Sequence, residues 1–147
     1  VLVRHAEKGS AERDPELSEK GRARAQRIAR LLAHAGVTRL VASEYRRTRD
    51  TLAPLAELTH VTVEAMPAAR SKELASMLRD APEASVTVVA THSNVLPALV
   101  TELGAPPLRD LPADGMLAED DYGRVVVVSV PCAAARSPSS RVELSSE

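Results

Sequence analysis

Aromatic side chains are almost missing from this 147-residue chain: it has two tyrosines, no tryptophan and no phenylalanine. Stacking of bases on aromatic rings, the habit of common RNA and single-strand binders, is therefore not its main mode of recognition. Neither sign of charge dominates. Nineteen basic residues face twenty acidic ones, for a net charge of -1, so the basic excess expected of a nucleic-acid partner is missing. No apolar run approaches the length of a membrane span. The single cysteine, Cys132, excludes an intrachain disulfide and a multi-cysteine zinc site, and it fits a reducing, cytoplasmic setting. No signal peptide is visible, and a chain that opens on Val1 reads as a trimmed or mature form.

What remains is ordinary globular composition, 44% hydrophobic and 27% charged, enough for one domain with one core. That core must be built from Leu, Val, Ile and Ala. Apolar strand patterns occur at Val1–Arg4, Arg39–Ser43, His60–Val63, Val86–Thr91 and Arg124–Val130. The run VTVVAT at 86–91 is nearly continuous, the pattern of a strand buried on both faces. Helical spacing follows Ser18, an expected N-cap, through Ala25, Ile28, Ala29 and Leu32, with Gly36 at its far end. Further helices are expected at Arg47–Leu58, kinked or delayed by Pro54, at Ser71–Arg79, and at Asn94–Leu103 with Pro97 in its first turn. Residues 105–123, rich in Pro, Asp and Gly, read as a long loop. Strands alternating with helices predict an α/β, single-domain, three-layer α/β/α sandwich with a largely parallel central sheet. The domain is expected over residues 1–131, with 132–147 as a flexible C-terminal tail.

In such sheets function gathers at the C-terminal ends of the strands. The first strand ends at Arg4-His5, the second leads past Ser43 to Arg46-Arg47, and the fourth ends at Thr91-His92-Ser93. Two histidines and several arginines thus share one edge. Guanidinium groups match phosphate oxygens bidentately. A neutral imidazole can attack phosphorus and carry it covalently. Arginines beside a histidine also disfavour its cationic form, which keeps the lone pair free. The residues alone therefore point to a phosphate site with an internal nucleophile.

Four ordered segments carry a resemblance. VLVRHAEK is similar to the strand-to-loop signature of the histidine phosphatase superfamily, the phosphoglycerate-mutase-like proteins. LSEKGRARAQ resembles that family's L-S-x-x-G-x-x-x-A segment, VASEYRRTRDTLAPLA its S-x-x-x-R-[AT]-x-x-T segment, and VVATHSNVLPAL the strand ending in its second catalytic histidine. The resemblance implies the phosphoglycerate-mutase-like fold. It makes His5 the phosphorylated nucleophile, Arg4 and Arg47 the phosphoryl clamps, and His92 the group completing the pocket. It implies no metal and no cofactor. The partner would be a small phosphorylated metabolite or phosphoprotein substrate, with no nucleic acid and no membrane. The reaction would be hydrolysis of a phosphomonoester or phosphoramidate through a phosphohistidine on His5.

The chain departs from the family at several places. Ala6 replaces the usual glycine, as in RHAEK-type members, and small members that act on phosphohistidine are the nearest in kind. Ala11 stands where the mutase branch has Asn, and Ser93 where the acid phosphatase branch has Asp. The mutase branch's acid would fall near Ala69. No general acid is therefore identifiable, and Glu64 and Glu73 are the nearest candidates. A chain without that acid would favour leaving groups that depart easily, such as phosphohistidine or a phenolate. The competing readings are a non-catalytic phosphate- or phosphoprotein-binding module, a phosphoglycerate-type mutase, and a metal hydrolase on His5, Glu7 and His92. Arg46 and Arg49 compete with Arg47. Glu7 is expected to cap the loop or hold Arg4, Lys8 to be solvated, and His34 and His60 to be structural or exposed. Ser93 and Asn94 are expected to cap the next helix, and the Arg-rich run 22–30 to be a solvated face.

Overall fold

The computed structural model describes residues 1–10, 13–131 and 139–146. The readings attached to Ala11 and Cys132 lie outside these residues. The chain runs β1 (Leu2–Arg4), α1 (Glu19–Leu32), β2 (Val37–Ala42), α2 (Arg46–Thr59), β3 (Val63–Ala65), a single 3-10 turn (Ala68–Arg70), α3 (Ser71–Arg79), β4 (Val86–Thr91), α4 (Val95–Glu102), β5 (Arg124–Ser129) and β6 (Ser140–Ser145). These strands form one sheet in the order β3-β2-β4-β1-β5-β6. The first four are mutually parallel, and β5 pairs antiparallel with both β1 and β6.

Alternate strand residues feed opposite faces, as the pleat requires. Leu2, Val41, Val89 and Val126 pack with Leu74, Leu96, Leu99 and Leu103 of α3 and α4 and the residue after it. Val3, Leu40, Val88 and Val125 pack with Ile28, Leu32, Leu52 and Leu55 of α1 and α2. The result is the expected three-layer α/β/α sandwich. Because β4 inserts between β2 and β1, the chain reverses its order of travel there, and the strand ends carrying Arg4-His5 and His92 become neighbours. The His5 N–H donates to Thr91 O at 2.9 Å, fixing that juxtaposition.

Ser18 caps α1 as expected, its hydroxyl accepting from Gly21 N at 3.0 Å. Helix α2 starts at Arg46 and continues through Pro54 to Thr59. The third strand lies later than its β-branched residues suggest. His60 adopts a left-handed conformation (φ 58°) at the end of α2, so pairing with β2 begins only at Val63.

The expected tail also needs correction at residues 140–145. There β6 pairs with β5 from Arg124↔Ser145 to Ser129↔Ser140. Its side chains are mostly exposed, so it carries no apolar alternation; it is held by backbone hydrogen bonds to the otherwise open edge of β5. Beyond it Ser146 is buried, its N–H donating to Gly123 O at 2.8 Å while Arg27 Nε donates to its carbonyl at 3.0 Å.

Candidate active site

The edge formed by the ends of β1, β2 and β4 opens into a cavity of about 520 Å³. Arg4, His5, Arg47 and His92, the four residues singled out from sequence, all line it. His5, His92 and Arg4 are each, as residues, about nine-tenths or more buried. The two rings meet edge-on with centroids 5.4 Å apart.

The orientation of His5 is set by its own turn. Nδ1 lies 2.9 Å from the Ala6 carbonyl, an acceptor only, so Nδ1 carries the proton and Nε2 keeps its lone pair. The next N–H, that of Ala6, is held by Thr51 Oγ1 at 2.9 Å, and the Thr51 hydroxyl donates to Arg47 O at 2.7 Å. The threonine of the RRTRDT segment therefore joins the turn that follows His5 to the helix that carries Arg47. Gly21 does similar work from α1: a Cβ there would run into the Glu7 carbonyl oxygen, which accepts Ser18 N–H at 2.8 Å.

His92 is oriented by a relay of hydroxyls. Its Nε2 is 2.9 Å from Ser43 Oγ, which is 2.9 Å from Thr48 Oγ1, and Thr48 donates to Tyr45 O at 2.6 Å. Since Thr48 commits its proton to that carbonyl, Ser43 donates to Thr48 and His92 Nε2–H donates to Ser43. His92 Nδ1 is then the acceptor facing Arg47 Nη2, at 3.5 Å.

Burial lowers the pKa of His5 to about 4, helped by Arg47, His92 and Arg4 and opposed by the hydrogen bond to Ala6. His92 is likewise lowered to about 4, by burial first and then by Arg47 and Arg4, against the pull of Glu44. Both rings are therefore neutral at pH 7, as a nucleophile and a hydrogen-bonding partner require.

The arginines are separated cleanly. Arg47 faces the cavity, with Asp14 3.9 Å from its Nη1. Arg46 turns outward to Glu16 at 2.8 Å and Asp50 at 3.6 Å, and Arg49 is exposed away from the cavity. Arg4 donates from Nη1 to the carbonyls of Ala118 (2.6 Å) and Asp121 (3.2 Å), while its Nε is buried without a partner.

Both tyrosines of the chain belong to this site, and the sequence reading missed them. Tyr45 lies under the Arg47 guanidinium, 4.3 Å to its ring centroid, and Tyr122 under that of Arg4, at 4.1 Å. Their rarity, two tyrosines in a chain with no tryptophan or phenylalanine, was the available signal.

Several expectations are corrected. Glu7 does not hold Arg4; its carboxylate takes Arg24 in a bidentate pair at 2.8–3.1 Å, with Lys20 at 3.5 Å. Arg24 is consequently buried, so the Arg-rich run is not a uniformly solvated face, and the set His5, Glu7, His92 does not converge on a metal position. Among the described residues no three His, Cys, Asp or Glu side chains cluster as metal ligands do. Lys8 is exposed, as expected, and it also lines the cavity, as does Arg13. Asn94 occupies the N-cap of α4 without a side-chain bond; Val95 and Leu96 instead donate to His92 O at 3.2 and 3.0 Å. Glu64 pairs with Arg39 at 2.6 Å on the outer strand, and Glu73 pairs with Arg70 at 3.6 Å; neither reaches the cavity. Ala69, the place counted for the mutase acid, does line it. His34 and His60 are exposed, as expected.

Residues 1–70 match the family model described as histidine phosphatase superfamily (branch 1). Over those residues, just under half of the chain, the sequence is similar to that superfamily. They contain three of the four quoted segments. No curated protein matches in sequence. Among solved structures, a mycobacterial glucosyl-3-phosphoglycerate phosphatase superposes with a TM-score of 0.60 at 22% identity, covering 76% of this chain and 79% of its own. A second mycobacterial protein, described as a hydrolase, reaches a TM-score of 0.66 at 19% identity, over 97% and 87%. The Agrobacterium tumefaciens protein assigned as the phosphohistidine phosphatase SixA gives 0.60 at 23% identity, over 69% and 73%. These likenesses show the fold: the same α/β/α sandwich continues past residue 70 to the strand that delivers His92.

Proposed function

We propose that the protein is a phosphatase that hydrolyses a phosphomonoester or phosphoramidate through a phosphohistidine on His5. The observation that carries this reading is the fixed tautomer of His5: Nδ1–H is engaged by Ala6 O, and Nε2 is left free among Arg4, Arg47 and His92. Nε2 attacks phosphorus in line, the leaving group departs with the bonding pair, and water then attacks the phosphoenzyme from the vacated side. Arg4 and Arg47, both at the cavity wall, offer guanidinium N–H groups to the phosphoryl oxygens. The tyrosine beneath each guanidinium holds its plane and fills space otherwise open to water. His92 takes a proton from solvent on Nδ1 as the dianion arrives and hydrogen-bonds through it to an equatorial oxygen, keeping that proton, while Ser43 keeps its ring in place. Small phosphorylated metabolites and phosphoproteins both fit a cavity open at the rim. The structural neighbours named as phosphatases support the general activity.

The test is a screen over alkyl phosphates, aryl phosphates and phosphoramidates, with His5→Ala as the control. Turnover that vanishes in His5→Ala supports the reading. Tight phosphate binding with no turnover of any substrate would favour a phosphate-binding module. Activity lost in EDTA and restored by a divalent ion would favour metal-assisted hydrolysis instead.

A further inference from the structure

We infer that Glu119 is the proton donor to the leaving group, supplied from the loop before β5; this rests on the phosphatase reading. Glu119 is the only carboxylate among the described residues that line the cavity. It sits at the second position of a turn closed by Asp121 N–H donating to Ala118 O at 3.0 Å. That turn is clamped to both histidine-bearing segments. Arg4, the residue before His5, grips the carbonyls of Ala118 and Asp121. Leu117 N–H donates at 3.0 Å to the carbonyl of Ser93, the residue after His92. The backbone at the corner of such a turn keeps a fixed relation to His5 although it belongs to a long loop, and it carries the Glu119 side chain to the cavity wall.

The other carboxylates nearby are committed elsewhere. Glu7 is bound by Arg24, Glu44 accepts Ala68 N–H at 2.8 Å, Asp14 accepts Arg46 N–H at 2.8 Å, and Asp121 pairs with Arg124 at 2.9 Å. Among the described residues Glu119 has no ion pair. A carboxyl beside a phosphate dianion is favoured in its protonated form by like-charge repulsion. As Nε2 of His5 forms its bond to phosphorus, the P–O bond breaks and its electron pair passes to the departing oxygen. That oxygen takes the Glu119 proton, leaving a carboxylate. In the second step water attacks phosphorus, gives its proton back to the Glu119 carboxylate, and the P–N pair returns to His5. The carboxyl therefore enters from the β5 side of the site, while the place counted for it beyond β3 holds Ala69.

The decisive measurement is kcat/KM for a simple alkyl phosphate and for p-nitrophenyl phosphate with wild type, Glu119→Gln and Asp120→Asn. A proton donor matters only where the leaving group is a strong base. Glu119→Gln should lose about 10²-fold or more on the alkyl ester and less than about threefold on the aryl ester. Asp120→Asn, in the same turn but outside the cavity, should change neither. Equal losses on both esters, or no loss on either, would overturn the assignment of Glu119. A wild-type protein that turns over neither ester nor a phosphoramidate would instead overturn the phosphatase reading itself.

Discussion

Thr51 and Ala6, 45 residues apart in sequence, are joined through one hydroxyl that accepts the Ala6 N–H at 2.9 Å and passes its own hydrogen to Arg47 O. Thr51→Val preserves shape and removes that acceptor. The Ala6 amide is fully buried, so leaving it unpaired should cost roughly 1–3 kcal/mol and loosen the turn that aims His5. Thr51→Ser should retain most stability and activity. Denaturant midpoints and kcat/KM for the two variants check this; indistinguishable variants would contradict it.

Gly21→Ala sets two effects of opposite sign against each other. Alanine in a helix gains about 1 kcal/mol over glycine. The new methyl, however, would meet the Glu7 carbonyl, a backbone atom in the loop after His5. Backbone cannot step aside as a side chain can, so the clash should win. A lower melting temperature and a reduced kcat are expected, whereas a stabilised, fully active variant would show that α1 can slide.

Arg47→Ala should lower kcat/KM by about 10²-fold or more, because a charge clamp in a water-poor site is worth several kcal/mol to the transition state. Arg46→Ala breaks only surface pairs with Glu16 and Asp50 and should cost less than about threefold. The reverse order of effects would refute an α2 that turns Arg47 inward and Arg46 outward.

Acid should destabilise the protein through the same histidines. A base whose pKa falls from 6.5 to about 4 on folding binds more protons unfolded than folded between those values. Stability is then fully present above about pH 6.5 and is lost as pH falls toward 4. Glu7 acts in the same direction lower down. Burial alone would raise its carboxyl, but the Arg24 and Lys20 contacts hold it below the usual range, so its contribution fades as pH falls through that lowered value. Melting temperature should drop between pH 7 and 4.5, and NMR titration of the imidazoles should place both midpoints well below 6. Midpoints near 6.5 would contradict the buried, neutral pair.

The strand ends were legible because sequence continuity and local chemistry coincide there. An apolar run that stops at Arg4-His5, or at Thr91-His92, must present those side chains at a sheet edge. Helix α3 and strand β4 were legible in full, their apolar periodicity undisturbed by neighbours. Strand β6 was not, because it buries almost nothing and is held by backbone hydrogen bonds. Among the arginines of α1, no local feature singles out Arg24; its burial depends on Glu7, seventeen residues earlier. Glu119 was hidden for a similar reason. Its loop has no periodicity, and its place is fixed by contacts from Arg4 and Ser93 that a linear reading does not reveal.

The central claim, a covalent phosphohistidine on His5, is tested most directly by trapping it. Wild-type protein mixed with a ³²P-labelled substrate and quenched rapidly without acid should carry a label that is acid-labile and base-stable. Peptide mapping should place it on His5, and His5→Ala should lose both label and turnover. Label on a different residue, or full activity in His5→Ala, would contradict the account.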